Sequence, residues 1–105
     1  YYIINVNSQW LRLCGFSSKI QCIGKTLSCI QGRRTNVERL KDLVRSIRQG
    51  KRHATTLVNY KQNGEQFINN IRVYPLKVNT TDESPSLYMG ILTEKTKVSF
   101  CSLQH

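Results

Sequence analysis

The dipeptide Asn63-Gly64 constrains this chain more than any other feature. It sits between two runs of strand-forming residues, with Thr55, Leu57, Val58 and Tyr60 before it and Phe67, Ile68, Ile71, Val73 and Tyr74 after it. β-Branched and aromatic side chains suit a pleated surface, and Asn-Gly accepts the positive φ of a tight hairpin turn. The pattern predicts a β-hairpin with arms at 53–61 and 65–74, ended by Pro75, which has no N–H for a central ladder. Asn59 and Asn69 break the apolar pattern, one on each arm. A single strand Asn ordinarily bonds to local backbone. Two amides flanking one turn, each able to donate and accept, predict a polar pair facing an interior space.

The rest of the chain reads around this hairpin. Tyr1 to Val6 is strand-like, and Asn7 or Ser8 can cap a short helix through Leu13, stopped by Gly15. Ser17-Ser18 starts another short turn that ends near Gly24, and Thr26 to Gln31 reads as one helical turn lying across a core. The clearest helix spans 36–49. Thr35-x-x-Glu38 has the form of a capping box, and Val37, Leu40, Leu43, Val44 and Ile47 recur at helical spacing as one apolar stripe. Arg45 and Arg48 favour its C-terminal dipole and Gly50 stops it. After the hairpin, Lys77 to Pro85 reads as a solvated loop and Leu87 to Leu92 as a further strand. Thr93 to His105 either extends that strand, given the alternation of Val98 and Phe100, or leads outward. Strand, short helices, longer helix, hairpin and strand make an α+β layout, an antiparallel sheet with helices on one face. The layers enclose a gap that takes either a flat ligand or side chains.

With 105 residues the chain supports one core. No apolar run approaches the roughly 18 residues of a membrane span, and no signal-peptide pattern opens the sequence. The expected location is therefore intracellular, cytoplasmic or nuclear, with no membrane partner. The chain opens inside a strand-like run, as a domain cut from a longer protein would. A net charge of +10 invites polyanions. Eight of the sixteen cations fall between Arg33 and Arg52, mostly on the polar face of the predicted helix, without the interleaved aromatics that stack on bases. Nucleic acid is accordingly not the expected partner. Cys14, Cys22, Cys29 and Cys101 lack the close pairs of a zinc site and read as reduced core thiols. The sequon at Asn79 carries no meaning in an intracellular chain.

Enzyme chemistry finds no footing. His53 and His105 are the only histidines, and no spacing brings either to a cysteine. The six acids are scattered, with no pair set for acid–base work. No glycine-rich phosphate loop is present. The expectation is a protein that is not an enzyme.

The run Gly24-Lys25-Thr26-Leu27-Ser28-Cys29-Ile30-Gln31-Gly32, the helix after it, Asn59-Tyr60, Gly64, Phe67-x-Asn69, Pro75 and Tyr88-Met89-Gly90 together resemble a LOV domain, a flavin-binding branch of the PAS superfamily. The helix and hairpin align without a gap from Gln31 to Pro75, and Asn7 to Phe16 resembles the family's early helix. The family's first strand would precede Tyr1, so the resemblance implies a sheet short of that strand, with unpaired backbone groups open to another chain. Residues 1–96 would form the PAS/LOV-like domain and 97–105 a C-terminal strand extension or linker.

What the resemblance implies for a site follows position by position. Leu27 stands where photoactive members carry the cysteine that bonds the flavin in light. Cys29, replacing a Phe, lies about 200° round a helical turn from it. Thr26 replaces an Asn that contacts the ring and ribityl region. Ser28 and Val44 replace two phosphate-binding arginines, and Leu92 replaces the Gln that reads the flavin edge. Gln31, Asn59 and Asn69 remain as the ribityl and pyrimidine-edge contacts. With Thr26 they make the candidate pocket. Losing two charge-assisted bonds of about 1.5–3 kcal/mol each would weaken FMN strongly unless Arg33 or Arg34 substitutes. The resemblance thus implies a sensory or regulatory domain without thiol-adduct photochemistry and without a cofactor. The alternatives are a ligand-free dimerisation module, and a domain that holds FMN or another flat ligand without an adduct. Partners are expected to be a protein or a second copy, bound through the sheet.

Overall fold

A computed structural model describes residues 1–76 and 86–105; the loop expected at Lys77 to Pro85, with the sequon at Asn79, lies outside the described residues. The hairpin forms as expected, from β2 (His53–Tyr60) and β3 (Gln66–Leu76). Its register sets Asn59 opposite Phe67 and Leu57 opposite Asn69. The turn is wider than a two-residue one. The Gly64 N–H donates to the Lys61 carbonyl at 2.9 Å, Gly64 takes φ +89°, and the Lys61 N–H donates to the Glu65 carbonyl at 2.8 Å. Gln62, Asn63 and Gly64 therefore form the three-residue connection in which a glycine supplies the left-handed residue. Pro75 does not end the second arm. β2 stops opposite Val73, whereas β3 continues past it and pairs Pro75 with Tyr88. Proline is tolerated where only one neighbouring strand remains.

The other elements are β1 (Tyr2–Val6), α1 (Ser8–Cys14), 3-10 turns at Lys19–Gln21 and Leu27–Ile30, α2 (Val37–Arg48), β4 (Leu87–Glu94) and β5 (Lys97–Gln104). Asn7 caps α1 by accepting the Trp10 N–H at 2.9 Å, and Gly15 ends the helix at φ +77°. The cap of α2 lies one residue later than the Thr35–Glu38 pattern predicts. Asn36 accepts the Arg39 N–H at 3.0 Å, because the Thr35 hydroxyl is held elsewhere, between the Gly32 N–H at 3.0 Å and the Val58 carbonyl at 2.7 Å. Leu43 and Ile47 of the α2 stripe are fully buried, Leu40 and Val44 are half-buried, and Val37 is 58% exposed. Val37 opens the helix on its first turn, too early to reach the sheet.

Among the described residues, five strands join one antiparallel sheet in the order β1-β5-β4-β3-β2. The place of the family's first strand, expected to stand unpaired, is filled. β5, last in the chain, lies between β1 and β4 and pairs with both, Val6 opposite Cys101 on one side and Gly90 opposite Cys101 on the other. The closeness of that crossing depends on Gly90, where a Cβ would overlap the Cys101 sulfur. Residues 97–104, read as a strand extension or a linker, are thus an interior strand. Helices and 3-10 turns cover one face of the sheet. Trp10, Leu27, Ile30, Leu43, Ile47 and Tyr88 fill the space between, and the Tyr88 hydroxyl donates to the Ile47 carbonyl, tying sheet to α2.

Candidate functional site

The covered face of the sheet carries Leu57 and Asn59 on β2, Phe67 and Asn69 on β3 and Leu92 on β4, by the two-residue alternation of strands. Asn59 and Asn69 are 1% and 0% exposed. The Asn69 Nδ2 donates to the Asn59 Oδ1 at 2.8 Å. The two residues are diagonal rather than directly opposite, a spacing within reach of amide side chains. One acceptor is left over: Asn69 Oδ1 is buried with no hydrogen-bond partner among the described residues. A polar atom left so costs about 1–3 kcal/mol.

Gln31 and Thr26 do not join this pair. Thr26 caps the Leu27–Ile30 turn, accepting the Ser28 N–H at 3.2 Å and sharing a 2.7 Å hydrogen bond with the Ser28 hydroxyl. Gln31 closes the same turn, its N–H donating to the Ser28 carbonyl at 3.1 Å. Both are half-buried, and among the described residues no hydrogen bond links either to Asn59 or Asn69. Leu27 is 2% exposed and packs in the core.

Cys29 lies near other thiols. Burial, then the neighbouring Cys22, push its thiol up to about 11. Cys29 in turn adds to the upward shifts of Cys14 and Cys101, each due first to burial. The four cysteines thus gather on the side of the core formed by α1 and β5, with Tyr1 beside Cys29 and Cys101. All four are free.

A contact missing from the sequence reading fixes the segment between the Leu27–Ile30 turn and α2. The Tyr60 ring packs so closely on Gly32 that a Cβ there would enter it, and the Tyr60 hydroxyl accepts the Arg34 N–H at 2.9 Å. With Thr35 bonded to Val58, this segment is clasped to β2. A Tyr after an Asn on a strand gives no signal of such a clasp; only the glycine at position 32, without a side chain, hints at a close approach.

As packed, these residues do not fit a flavin. Leu27, Ile30, Leu57, Phe67 and Leu92 close around the Asn pair with almost no accessible surface, so no water-sized space lies against them. Ser28 is exposed and Val44 half-buried at the positions aligned with phosphate-binding arginines, and the Arg33 and Arg34 side chains lie at the surface. Of the two buried polar atoms without a partner among the described residues, Trp10 Nε1 and Asn69 Oδ1, the Asn69 oxygen belongs to this pair and calls for a further polar group.

A family model described as "PAS domain" matches residues 1–97. The chain belongs to the PAS domain family. Among curated proteins, this PAS domain is 28% identical over 89 residues to blue-light-activated histidine kinase 2 of Erythrobacter litoralis (strain HTCC2594), spanning 85% of the chain and 25% of that protein's length. Among solved structures it resembles the LOV domain of the blue-light photoreceptor Aureochrome1 in its light state, with TM-score 0.79, 23% identity and coverage of 90% of this chain and 71% of that one. It also resembles the LOV domain of the Erythrobacter litoralis EL346 blue-light-activated histidine kinase, with TM-score 0.72, 22% identity and coverage of 96% and 81%. At these identities the structural likeness is one of fold. The domain is LOV-like in architecture and belongs with sensory signalling domains. Among the described residues, no helix is long and apolar enough to cross a membrane.

Proposed function

We propose that this PAS domain is a non-catalytic sensory or regulatory module of a larger intracellular signalling protein, without thiol-adduct photochemistry and with protein contacts made through the outer face of its sheet. The observation that carries the reading is the burial of Leu27 in the core, at the position aligned with the reactive cysteine, while Cys29 lies with the other thiols. The filled interior supports the absence of a cofactor. His53 meets only the Ser46 hydroxyl, at 2.9 Å, with no acid beside it among the described residues, which supports a non-catalytic role.

The outer face supports the choice of partner surface. Ile68 is 56% exposed, and Tyr2, Ile4, Met89, Val98 and Phe100 also project there. A groove of about 460 Å³ runs along it between Asn5, Lys19, Met89 and Phe100. Both edges of the sheet are occupied by the chain itself. On β2, Thr35 holds the Val58 carbonyl and the Arg39 guanidinium donates to the Thr56 carbonyl at 2.9 Å. On β1, the Ile3 N–H and carbonyl bond Lys25 and Gly24, each at 2.8 Å. Edge-to-edge pairing is thereby blocked, and a second copy or a partner protein meets the face.

A second reading, flavin held without an adduct, is favoured by the unpaired Asn69 Oδ1, which a bound pyrimidine edge would satisfy. Colour separates the two. A purified protein without the visible flavin band, both as isolated and after incubation with excess FMN, is the expected result. A stoichiometric yellow complex overturns the cofactor-free reading, and reversible bleaching of that band in blue light overturns the absence of adduct chemistry.

A further inference from the structure

The sheet and α1 partly enclose a cavity away from the Asn pair. It has a volume of about 320 Å³ and opens between α1 and the β4–β5 hairpin. Leu13 and the buried Ser99 line its inner side, with the Ser99 hydroxyl donating to the Leu92 carbonyl at 3.1 Å. Arg12 enters from α1, Lys61 from the end of β2, and Glu94 and Lys97 from the hairpin. The turn of the β2–β3 hairpin is docked against α1 here, since the Gln62 N–H donates to the Cys14 carbonyl at 2.8 Å. The cavity is therefore walled by elements fixed to one another.

Its charges do not balance. Lys61 and Glu94 form an ion pair at 3.7 Å with side chains 20% and 19% exposed, and the Lys61 ammonium also lies 5.8 Å from the Phe67 ring centre. That pair neutralises itself. Arg12 bonds only the Ser8 hydroxyl, at 3.2 Å, and Lys97 has no ion-pair or side-chain hydrogen-bond partner among the described residues. Two uncompensated cations thus converge from separate elements on a partly enclosed space. Low-dielectric walls strengthen such a field over that of cations on an open surface. The Lys61–Glu94 distance is also long for a charge-assisted hydrogen bond, which closes to about 2.7–2.9 Å, so ammonium donors remain for a guest.

We propose that this cavity is a binding site for a small dianion, two negative charges set against Arg12 and Lys97, with Lys61 as a third contact. A phosphate group and a dicarboxylate share this chemistry. The volume admits a molecule of a few heavy atoms to roughly a dozen, not a flavin or a nucleotide. The guest would bridge α1 to the β4–β5 hairpin and so reinforce their junction. None of this depends on whether the interior near Asn59 and Asn69 holds a ligand.

The test is an amide NMR titration of the whole chain at constant ionic strength, with inorganic phosphate in one arm and succinate in the other. Saturable shifts confined to Arg12, Leu13 and residues 94–99 are expected. Arg12→Glu and Lys97→Glu should each weaken the binding at least tenfold, and Glu94→Gln should tighten it severalfold by removing a repulsive carboxylate. Lys51→Glu, which changes the net charge equally at a distant surface, should leave it unchanged. Saturation in only one arm assigns the guest to that arm's class. Linear shifts spread over the basic surface, or an equal loss with Lys51→Glu, would show diffuse electrostatics and overturn the site. Spectra of the variants that retain the native dispersion exclude unfolding as the cause of a loss.

Discussion

The Asn69 amide nitrogen donates to the Asn59 amide oxygen at 2.8 Å, and the two residues reach each other diagonally across paired strands, with Leu57 and Phe67 as their direct partners. One hydrogen bond joins the two amides, and Asn69 Oδ1 is left buried without a partner among the described residues. That arrangement makes the energetics of the pair diagnostic. Asn59→Ala is expected to cost about 1–3 kcal/mol in urea unfolding, because it strands the Asn69 donor in the core. The double replacement Asn59→Leu with Asn69→Leu is expected to cost less than Asn59→Ala alone, since apolar groups of similar volume leave nothing unsatisfied. Additive losses would mean that each amide has partners outside the pair.

Restoring the aligned chemistry tests whether the pocket alone accounts for the proposed loss of photochemistry. The four-fold variant Leu27→Cys, Ser28→Arg, Val44→Arg and Leu92→Gln is expected to take up FMN and to bleach reversibly in blue light, with the unmodified domain doing neither. A variant that folds yet stays colourless would place the obstacle beyond these four positions.

Thr35 bridges the Gly32 N–H and the Val58 carbonyl from a largely buried position. Thr35→Val keeps the shape and removes both bonds. Unfolding free energy should fall by about 1–3 kcal/mol, and the freed β2 edge should raise the tendency to associate, read by light scattering at equal concentration. Thr35→Ser should retain most of the stability.

The cysteines give the domain an alkaline limit. Burial holds the Cys101 thiol up at about 12 and, with Cys22, the Cys29 thiol at about 11, from ordinary values of 9.0. Above the ordinary value the unfolded chain has lost these protons while the native state keeps them, so stability falls as pH rises. The loss begins near pH 9 and levels off as pH passes the raised native values of about 11 and about 12. Cys101→Ala should start from a lower stability and decline less steeply over that range; parallel declines would show that Cys101 ionises no differently in the two states.

Phe100 and Ile68 lie on the outer face, on β5 and β3. Phe100→Glu and Ile68→Glu are expected to abolish any self-association seen by sedimentation, with a smaller change in unfolding midpoint than a core substitution gives, because the two side chains are already 41% and 56% exposed. Dimerisation untouched by either change would move the interface elsewhere.

The sequence shows the hairpin and α2 because local chemistry decides them: Asn-Gly, the two-residue alternation and an apolar stripe at helical period. It shows much less of how segments meet. The alternation of Val98, Phe100 and their neighbours marks a strand, yet nothing local says that this strand inserts between β1 and β4. The capping pattern at Thr35–Glu38 matches the motif, but the fold uses the Thr35 hydroxyl for a strand 23 residues away, and Asn36 takes over as the cap. In the candidate site, Asn59 and Asn69 are legible as a pair because the turn between them sets their register. Gln31 and Thr26 are not, because their places depend on how the 3-10 turn docks. The cavity between α1 and the β4–β5 hairpin is invisible in the sequence, since its charges come from segments far apart in the chain.

The place of β5 also sets the order in which the molecule can be made. Tyr2–Val6 is synthesised about 90 residues ahead of Lys97–Gln104, yet Tyr2 pairs with Gln104 and Val6 with Cys101. Until β5 emerges, β1 has no neighbouring strand and β4 shows one bare flank. Contacts so distant along the chain slow folding, and unpaired strands are prone to misassembly meanwhile. The nascent domain therefore passes through most of its synthesis with its sheet in two parts, and its last eight-residue strand joins them.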